Sequence, residues 1–209
     1  HLCPFIYPPK NRVKTLDDMF VYFFLVLCLI LILLLWEKSS RKHMNIEGCH
    51  VLITGGSSGI GKSVAQEALK LGATNVTIVA RNDDRLEVVL QELKNCRIKP
   101  DEQRVAKASI DVSKESSQGI RAKLKSITDD FGPVSILVHC AGLSHPGRAH
   151  QMSEESMKNM MDVNYFGSVK VTQAFLEDMM SVKNGCIIFT SSVAGLVSNL
   201  IECRLDMCT

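Results

Sequence analysis

His50-Val51-Leu52-Ile53-Thr54-Gly55-Gly56-Ser57-Ser58-Gly59-Ile60-Gly61-Lys62 is the stretch whose reading decides the fold. Val51, Leu52 and Ile53 form a short apolar run suited to a buried parallel strand, and three spaced glycines then turn the chain into a helical pattern. Gly55 permits the tight turn, Gly59 removes a side chain where backbone must approach a phosphate, and Gly61 lets the helix pack closely on the strand. Free N–H groups at the helix start would then face an anion, as a dinucleotide pyrophosphate requires. The next residues complete the unit. Val64, Ala65, Ala68, Leu69 and Leu71 recur at near-helical spacing, Gly72 stands where a C-cap belongs, and Val76 to Ala80 reads as a second strand.

The glycines are spaced Gly-x-x-x-Gly-x-Gly behind Thr54, and that version closely resembles the cofactor loop of the short-chain dehydrogenase/reductase family. The resemblance implies cofactor contacts from Thr54, Gly55, Ser57, Ser58, Gly59, Ile60 and Gly61. Where an acid at the end of the second strand would prefer a free ribose 2′-hydroxyl, the chain has Ala80 then Arg81, with no acid before Asp83. We therefore expect NADPH/NADP, with Arg81 as the phosphate partner; the bland reading is that Arg81 only caps the strand in solvent. Farther on, Asp84 to Leu93 reads as a helix, Arg104 to Ile110 as a strand, Lys114 to Phe131 as a helix and Val134 to Val138 as a buried strand. This alternation predicts an α/β fold, a Rossmann-like doubly wound parallel sheet with ligands at the carboxyl ends of its strands.

Two of those strand ends resemble further family motifs. Asp111-Val112 matches the pair whose acid touches the adenine amine, although an aspartate there is equally apt as a helix N-cap. His139-Cys140-Ala141-Gly142 stands where the family usually has Asn-Asn-Ala-Gly. Ala141 and Gly142 keep the small-residue logic beside the cofactor, while His139 departs from it and is expected to be a hydrogen-bonded structural histidine.

The resemblance further implies a proton relay built from a tyrosine, a lysine four residues later, a serine that holds the substrate carbonyl and an asparagine that anchors a relay water. Asn164 matches the asparagine, and the strand Cys186 to Thr190 runs into Ser191-Ser192-Val193-Ala194-Gly195, where Ser192 is the first choice for the serine and Ser191 the second. The family spacing places the tyrosine and lysine at 205 and 209, which here are Leu205 and Thr209. Tyr7, Tyr22 and Tyr165 are followed four places on by Asn11, Val26 and Val169, so no Tyr-x-x-x-Lys occurs. We expect a sheet incomplete at its C-terminus, a divergent tail over residues 197–209, and a truncated form that is poorly active or inactive. An exposed strand edge would then invite association, including a homo-oligomer with a full-length enzyme.

Outside this domain, Met19 to Trp36 is an uncharged apolar run. As one helix it would cover most of a hydrocarbon core of about 30 Å, with Tyr22 and Trp36 near the interfaces; a cleaved signal is the rival reading, but no small-x-small site follows. Basic residues flank it on both sides, Lys10, Arg12 and Lys14 before and Lys38, Arg41 and Lys42 after, so orientation is a tie unless translation starts at Met19. We take that start, which puts the domain in the cytosol and gives five parts: residues 1–18 as an extension that need not be translated, 19–36 as a transmembrane anchor, 37–47 as a basic linker, 48–196 as the NADP-binding domain, and the 197–209 tail.

The formal net charge of +2, without a basic stripe, gives no case for nucleic acid, and the eight scattered cysteines contain no Cys-x-x-Cys pair that would suggest a metal. Membrane-anchored members of the family act on lipids. The resemblance is nearest the branch that reduces the lipid ketone 3-ketosphinganine to sphinganine with NADPH at the endoplasmic reticulum membrane. Hydroxysteroid- or retinol-type relatives, a non-catalytic NADPH-binding regulator and a nonfunctional product are the alternatives.

Overall fold

The computed structural model describes residues 22–30, 44–145, 149–181 and 185–192. The chain divides into two compact units, residues 1–45 and 46–209. In the first, residues 22–30 form a helix (α1) whose apolar side chains, Phe23 and Phe24 among them, are exposed. Among the described residues no helix is long and apolar enough to cross a membrane. The rest of the expected span, the residue 1–18 extension, Val193 to Gly195 and the 197–209 tail lie outside the described residues.

Among the described residues the second unit is built on five strands: β1 (His50–Thr54), β2 (Asn75–Ala80), β3 (Arg104–Ser109), β4 (Ile136–His139) and β5 (Cys186–Phe189). They form one sheet in the order β3-β2-β1-β4-β5, and every neighbouring pair is parallel. Between them run α2 (Gly59–Lys70), α3 (Asp83–Asn95), α4 (Ser117–Phe131), α5 (Glu154–Met161) and α6 (Ser168–Ser181), with a π-helical turn over Asp162–Gly167 joining the last two.

Strand periodicity sorts the apolar side chains into two cores. Val51 and Ile53 of β1, Val76 and Ile78 of β2, and Ile136 and Val138 of β4 point to one face, where Ala65, Leu69, Leu86 and Leu93 of α2 and α3 cover them. Leu52, Val79 and Leu137 point to the other, where Ile120 and Leu124 of α4 and Val171, Phe175 and Met179 of α6 close over them. A central strand buried on both faces must be apolar through its middle, and any polar side chain at its ends must find partners, as Thr54 at its carboxyl end does. His50, at the strand's start, is buried with both ring nitrogens engaged, Nδ1 with the Gly132 carbonyl (2.9 Å) and Nε2 with Thr77 Oγ1 (2.8 Å). Burial holds its pKa below the usual imidazole value.

Element types match the sequence-based expectations, and the capping residues explain the shifted ends. The helix expected from Lys114 begins at Ser117, because Ser116 Oγ accepts the Gly119 N–H (3.0 Å) and the preceding residues turn around Asp111. The helix expected from Asp84 begins one residue earlier, capped by Asn82 Oδ1, which accepts the Arg85 N–H (2.8 Å). The strand expected from Val134 starts at Ile136, and β5 stops at Phe189. At the sheet edge, Ile188 and Phe189 of β5 are exposed.

The junction between β1 and α2 has no spare volume. A Cβ on Gly61 would lie 2.4 Å from the Gly55 carbonyl oxygen, a backbone atom that cannot rotate away. Replacing glycine by alanine inside a helix ordinarily gains about 0.5–1 kcal/mol. Here Gly61→Ala is expected to lose about 1–3 kcal/mol through overpacking, measured by urea unfolding; a gain in stability would contradict the packing described.

Candidate functional site

The carboxyl ends of β1, β2 and β4 open onto a cleft of about 430 Å³. It gathers Gly55, Ser57, Ser58, Gly59, Ile60, Gly61, Arg81, Asp111, Val112, Ala141 and Gly142, every residue expected on the cofactor except Thr54. Thr54 lies beneath it, buried at the end of β1, where its Oγ1 accepts the Ala141 N–H (3.3 Å) and its carbonyl accepts the Cys140 N–H (3.1 Å). These bonds latch the exit of β4 to β1. Gly55, at φ +70°, permits the approach, since a Cβ there would sit 2.5 Å from the Cys140 carbonyl oxygen.

The start of α2 is unlike those of α3, α4 and α5. Asn82, Ser116 and Ser153 each accept a helix N–H through the side chain, whereas Ser58, in the same position ahead of α2, makes no side-chain cap hydrogen bond. No acid stands in the first turn of α2. Its leading N–H groups and the positive end of the helix dipole are left for an anion. The space in front is open too: a Cβ on Gly59 would meet nothing within 4 Å. An uncapped helix start facing an open cleft fits a pyrophosphate.

Asp111 is not the N-cap of α4, a place taken by Ser116, because its side chain turns back on Ser113. Its Oδ1 accepts from Ser113 N–H (3.1 Å) and Ser113 Oγ (2.6 Å), bracing the turn after β3, and the residue also lines the cleft. Burial pushes its carboxyl pKa up, but the Ser113 hydrogen bonds and the positive charges of Arg81 and Lys114 outweigh that and hold it below the usual carboxylate value. Lys170 Nζ donates to the Ser113 carbonyl (2.8 Å), tying the same turn to α6.

Asn164 is not on a regular α-helix, as the sequence pattern predicts, but inside the π-helical turn, a feature frequent at functional sites. Its amide is buried and spans one backbone unit: Oδ1 accepts the Leu143 N–H (2.9 Å) and Nδ2 donates to the Leu143 carbonyl (3.0 Å). Sequence reasoning misses this partner, since nothing in the residue type of Leu143 signals it. Asn82, Arg85 and Val163 are further lining residues that the sequence reading does not single out. Ser191 and Ser192 follow β5 on the same edge of the sheet, exposed, and are not part of the cleft lining.

His139 ends β4 fully inside the protein. Its Nε2 lies 3.0 Å from Thr172 Oγ1, its ring stacks on Phe189 at 4.7 Å, and its Nδ1 is buried without a partner among the described residues. The structural role expected of it is half met by these contacts, and burial lowers its pKa to about 4.

A profile of the short chain dehydrogenase family matches residues 49–203, and the chain belongs to that family of oxidoreductases. It is similar to the 3-dehydrosphinganine reductase of Danio rerio, 39% identical over 174 residues that make up 83% of this chain and 52% of that one. It is also similar to the 3-ketodihydrosphingosine reductase of Bos taurus, 38% identical over 171 residues, 82% of this chain and 51% of that one. A solved structure of a short-chain type dehydrogenase/reductase from Mycobacterium marinum superposes with a TM-score of 0.68 at 30% identity, covering 78% of this chain and 64% of that one. The chain thus spans about half the length of the curated relatives it matches. Family and fold together imply a nicotinamide cofactor.

Two outcomes follow from these side chains. Asn164→Ala removes both side-chain hydrogen bonds from the half-buried Leu143 backbone and is expected to cost about 1 kcal/mol, with faster hydrogen exchange at the Leu143 amide; unchanged protection there would count against the clamp. His139, neutral until about pH 4, binds its proton later than an unfolded imidazole at 6.5. Stability it contributes is therefore present above pH 6.5 and lost as pH falls toward 4, by up to about 3 kcal/mol. His139→Asn should flatten that part of the acid limb in denaturation series at pH 7 and pH 4.5, and an unchanged slope would contradict it.

Proposed function

We propose that the protein carrying this chain reduces the ketone of 3-ketosphinganine to sphinganine with NADPH, and that residues 48–196 supply its cofactor-binding domain. The observation that carries the reading is the 38–39% identity, over 82–83% of this chain, to a 3-dehydrosphinganine reductase and a 3-ketodihydrosphingosine reductase. The uncapped start of α2 receives the pyrophosphate, and Ile60 and Gly61 contribute N–H groups to it. Arg81, at the mouth of the cleft beyond Ala80, receives the ribose 2′-phosphate in place of a hydroxyl-binding acid. Asp111 accepts the adenine amine through Oδ2, its Oδ1 being occupied by Ser113. When bound, the cofactor supplies hydride.

The remaining chemistry is divided among the chain's own residues. Ser192, with Ser191 as its neighbour, stands at the end of β5 to hold a carbonyl oxygen. Asn164 acts through Leu143, fixing the loop that carries Ala141 and Gly142 beside the cofactor. No Tyr-x-x-x-Lys stands among the 209 residues to donate the proton. The uncharged run 19–36, read as an anchor, would place the domain at the cytosolic face of the endoplasmic reticulum membrane, where a long-chain ketone partitions.

The 209-residue chain is expected to bind NADPH and to oxidise it with 3-ketosphinganine about 10²–10⁴-fold more slowly than an enzyme that has its general acid. Adding sterol ketone or retinal in place of 3-ketosphinganine should give no turnover. Failure to bind NADPH would sink the reading, and faster turnover with a sterol or retinoid would move it to another branch of the family.

A further inference from the structure

Residues 164–170 touch two of the turns that wall the cleft. Asn164, in the π-helical turn, bonds the Leu143 backbone just after Ala141 and Gly142. Three residues on, Gly167 lies so close to the turn after β3 that a Cβ there would sit 2.8 Å from Val112 Cγ2. Three residues further, in the first turn of α6, the half-buried Lys170 reaches the same turn, and its Nζ donates to the Ser113 carbonyl (2.8 Å). Among the described residues Lys170 enters no ion pair. Its ammonium is committed to a peptide oxygen, and a bond from a charged donor is stronger than one between neutral groups.

The residue that Lys170 holds is the one that fixes Asp111. Ser113 gives both its N–H (3.1 Å) and its hydroxyl (2.6 Å) to Asp111 Oδ1, which leaves Oδ2 as the oxygen available to the cleft that Asp111 lines. Both bonds come from Ser113, so the aim of Oδ2 follows the position of that residue. Ile110 and Val112 seat the inner side of the turn in the core that Val171 and Phe175 share, and Lys170 ties down its outer end at Ser113. Arg81 and Lys114 are the charges that favour the Asp111 carboxylate; Lys170 acts on the turn through a peptide group instead.

We propose that Lys170 is a positioning residue of the cofactor cleft: by holding the Ser113 carbonyl it sets the turn from which Asp111 Oδ2 meets the adenine amine. The assignment rests on the reading of the cleft as the NADPH site and extends it to a helix that does not line the cleft.

The test is titration of NADPH, and of its analogue in which hypoxanthine replaces adenine, into the full 209-residue chain and its Lys170→Met and Lys170→Arg forms. The analogue has no amine from which Asp111 can accept. Lys170→Met is expected to raise the Kd for NADPH about five- to tenfold and to leave that for the analogue within about twofold, the weakening of one hydrogen bond to a charged acceptor. Lys170→Arg keeps a charged donor of similar reach and should hold the Kd for NADPH within about twofold of the unaltered chain. Unchanged binding of the analogue also shows that Lys170→Met is folded. Equal weakening of both ligands, or no change in either, would overturn the role of Lys170 while leaving the cleft as the cofactor site. An unaltered chain that binds the analogue as tightly as NADPH would overturn the contact between Asp111 and adenine and Lys170 with it. One that binds neither would overturn the cofactor reading itself.

Discussion

The structure depends on how closely backbone approaches backbone at the end of β1. Within seven residues the central strand must stop, turn and start a helix while two neighbouring strands end beside it. That is achieved by removing side chains where segments touch: Gly55 lies against the Cys140 carbonyl, Gly56 against Ile78, and Gly61 against the Gly55 carbonyl. The Gly56 N–H bonds the Val79 carbonyl, and Thr54 holds Ala141 and Cys140, so the exits of β2 and β4 are fastened to the same turn. The cleft is the space left above that fastening, and its floor is backbone because no other atoms fit.

From this geometry the polar chemistry follows. The interior keeps its titratable groups neutral: His50 has both nitrogens satisfied, and His139 is held uncharged by burial. Charge is confined to the rim, where Arg81 and Asp111 face the cleft. A helix start without a side-chain cap, at the meeting point of three strand ends, puts unsatisfied N–H groups where an anionic ligand can enter. Asn164 then pins the chain just after Ala141 and Gly142, because its amide bonds both the N–H and the carbonyl of Leu143 from the π-helical turn.

The β1–α2–β2 unit is legible in the sequence because two independent signals coincide. Strand and helix periods change over at the glycines, and each glycine has a distinct steric reason to be one. The apolar run Val51 to Ile53 and the alternation of later elements likewise dictate a sheet buried on both faces. What sequence reasoning misses has a common cause, which is contact with distant backbone or with groups that carry no pattern. Leu143 is 21 residues from Asn164 and is recognised through its peptide group. Arg85 looks like any charged residue on an amphipathic helix until the fold brings it into the lining of the cleft. Helix starts shifted because a side-chain cap, Ser116 or Asn82, outbids periodicity at the ends.

The central claim is that the uncapped start of α2 is the anion site and that the cleft above β1 takes a whole dinucleotide. Amide shift mapping of the isotope-labelled chain titrated with NADPH tests it most directly. The account predicts that the Ser57 to Gly61 amides move together with those of Arg81, Asp111–Val112 and Ala141–Gly142, with one shared saturation curve. Shifts confined to the groove between α4 and α6 around Arg121 and Asp178, with the Ser57 to Gly61 amides unmoved, would contradict it.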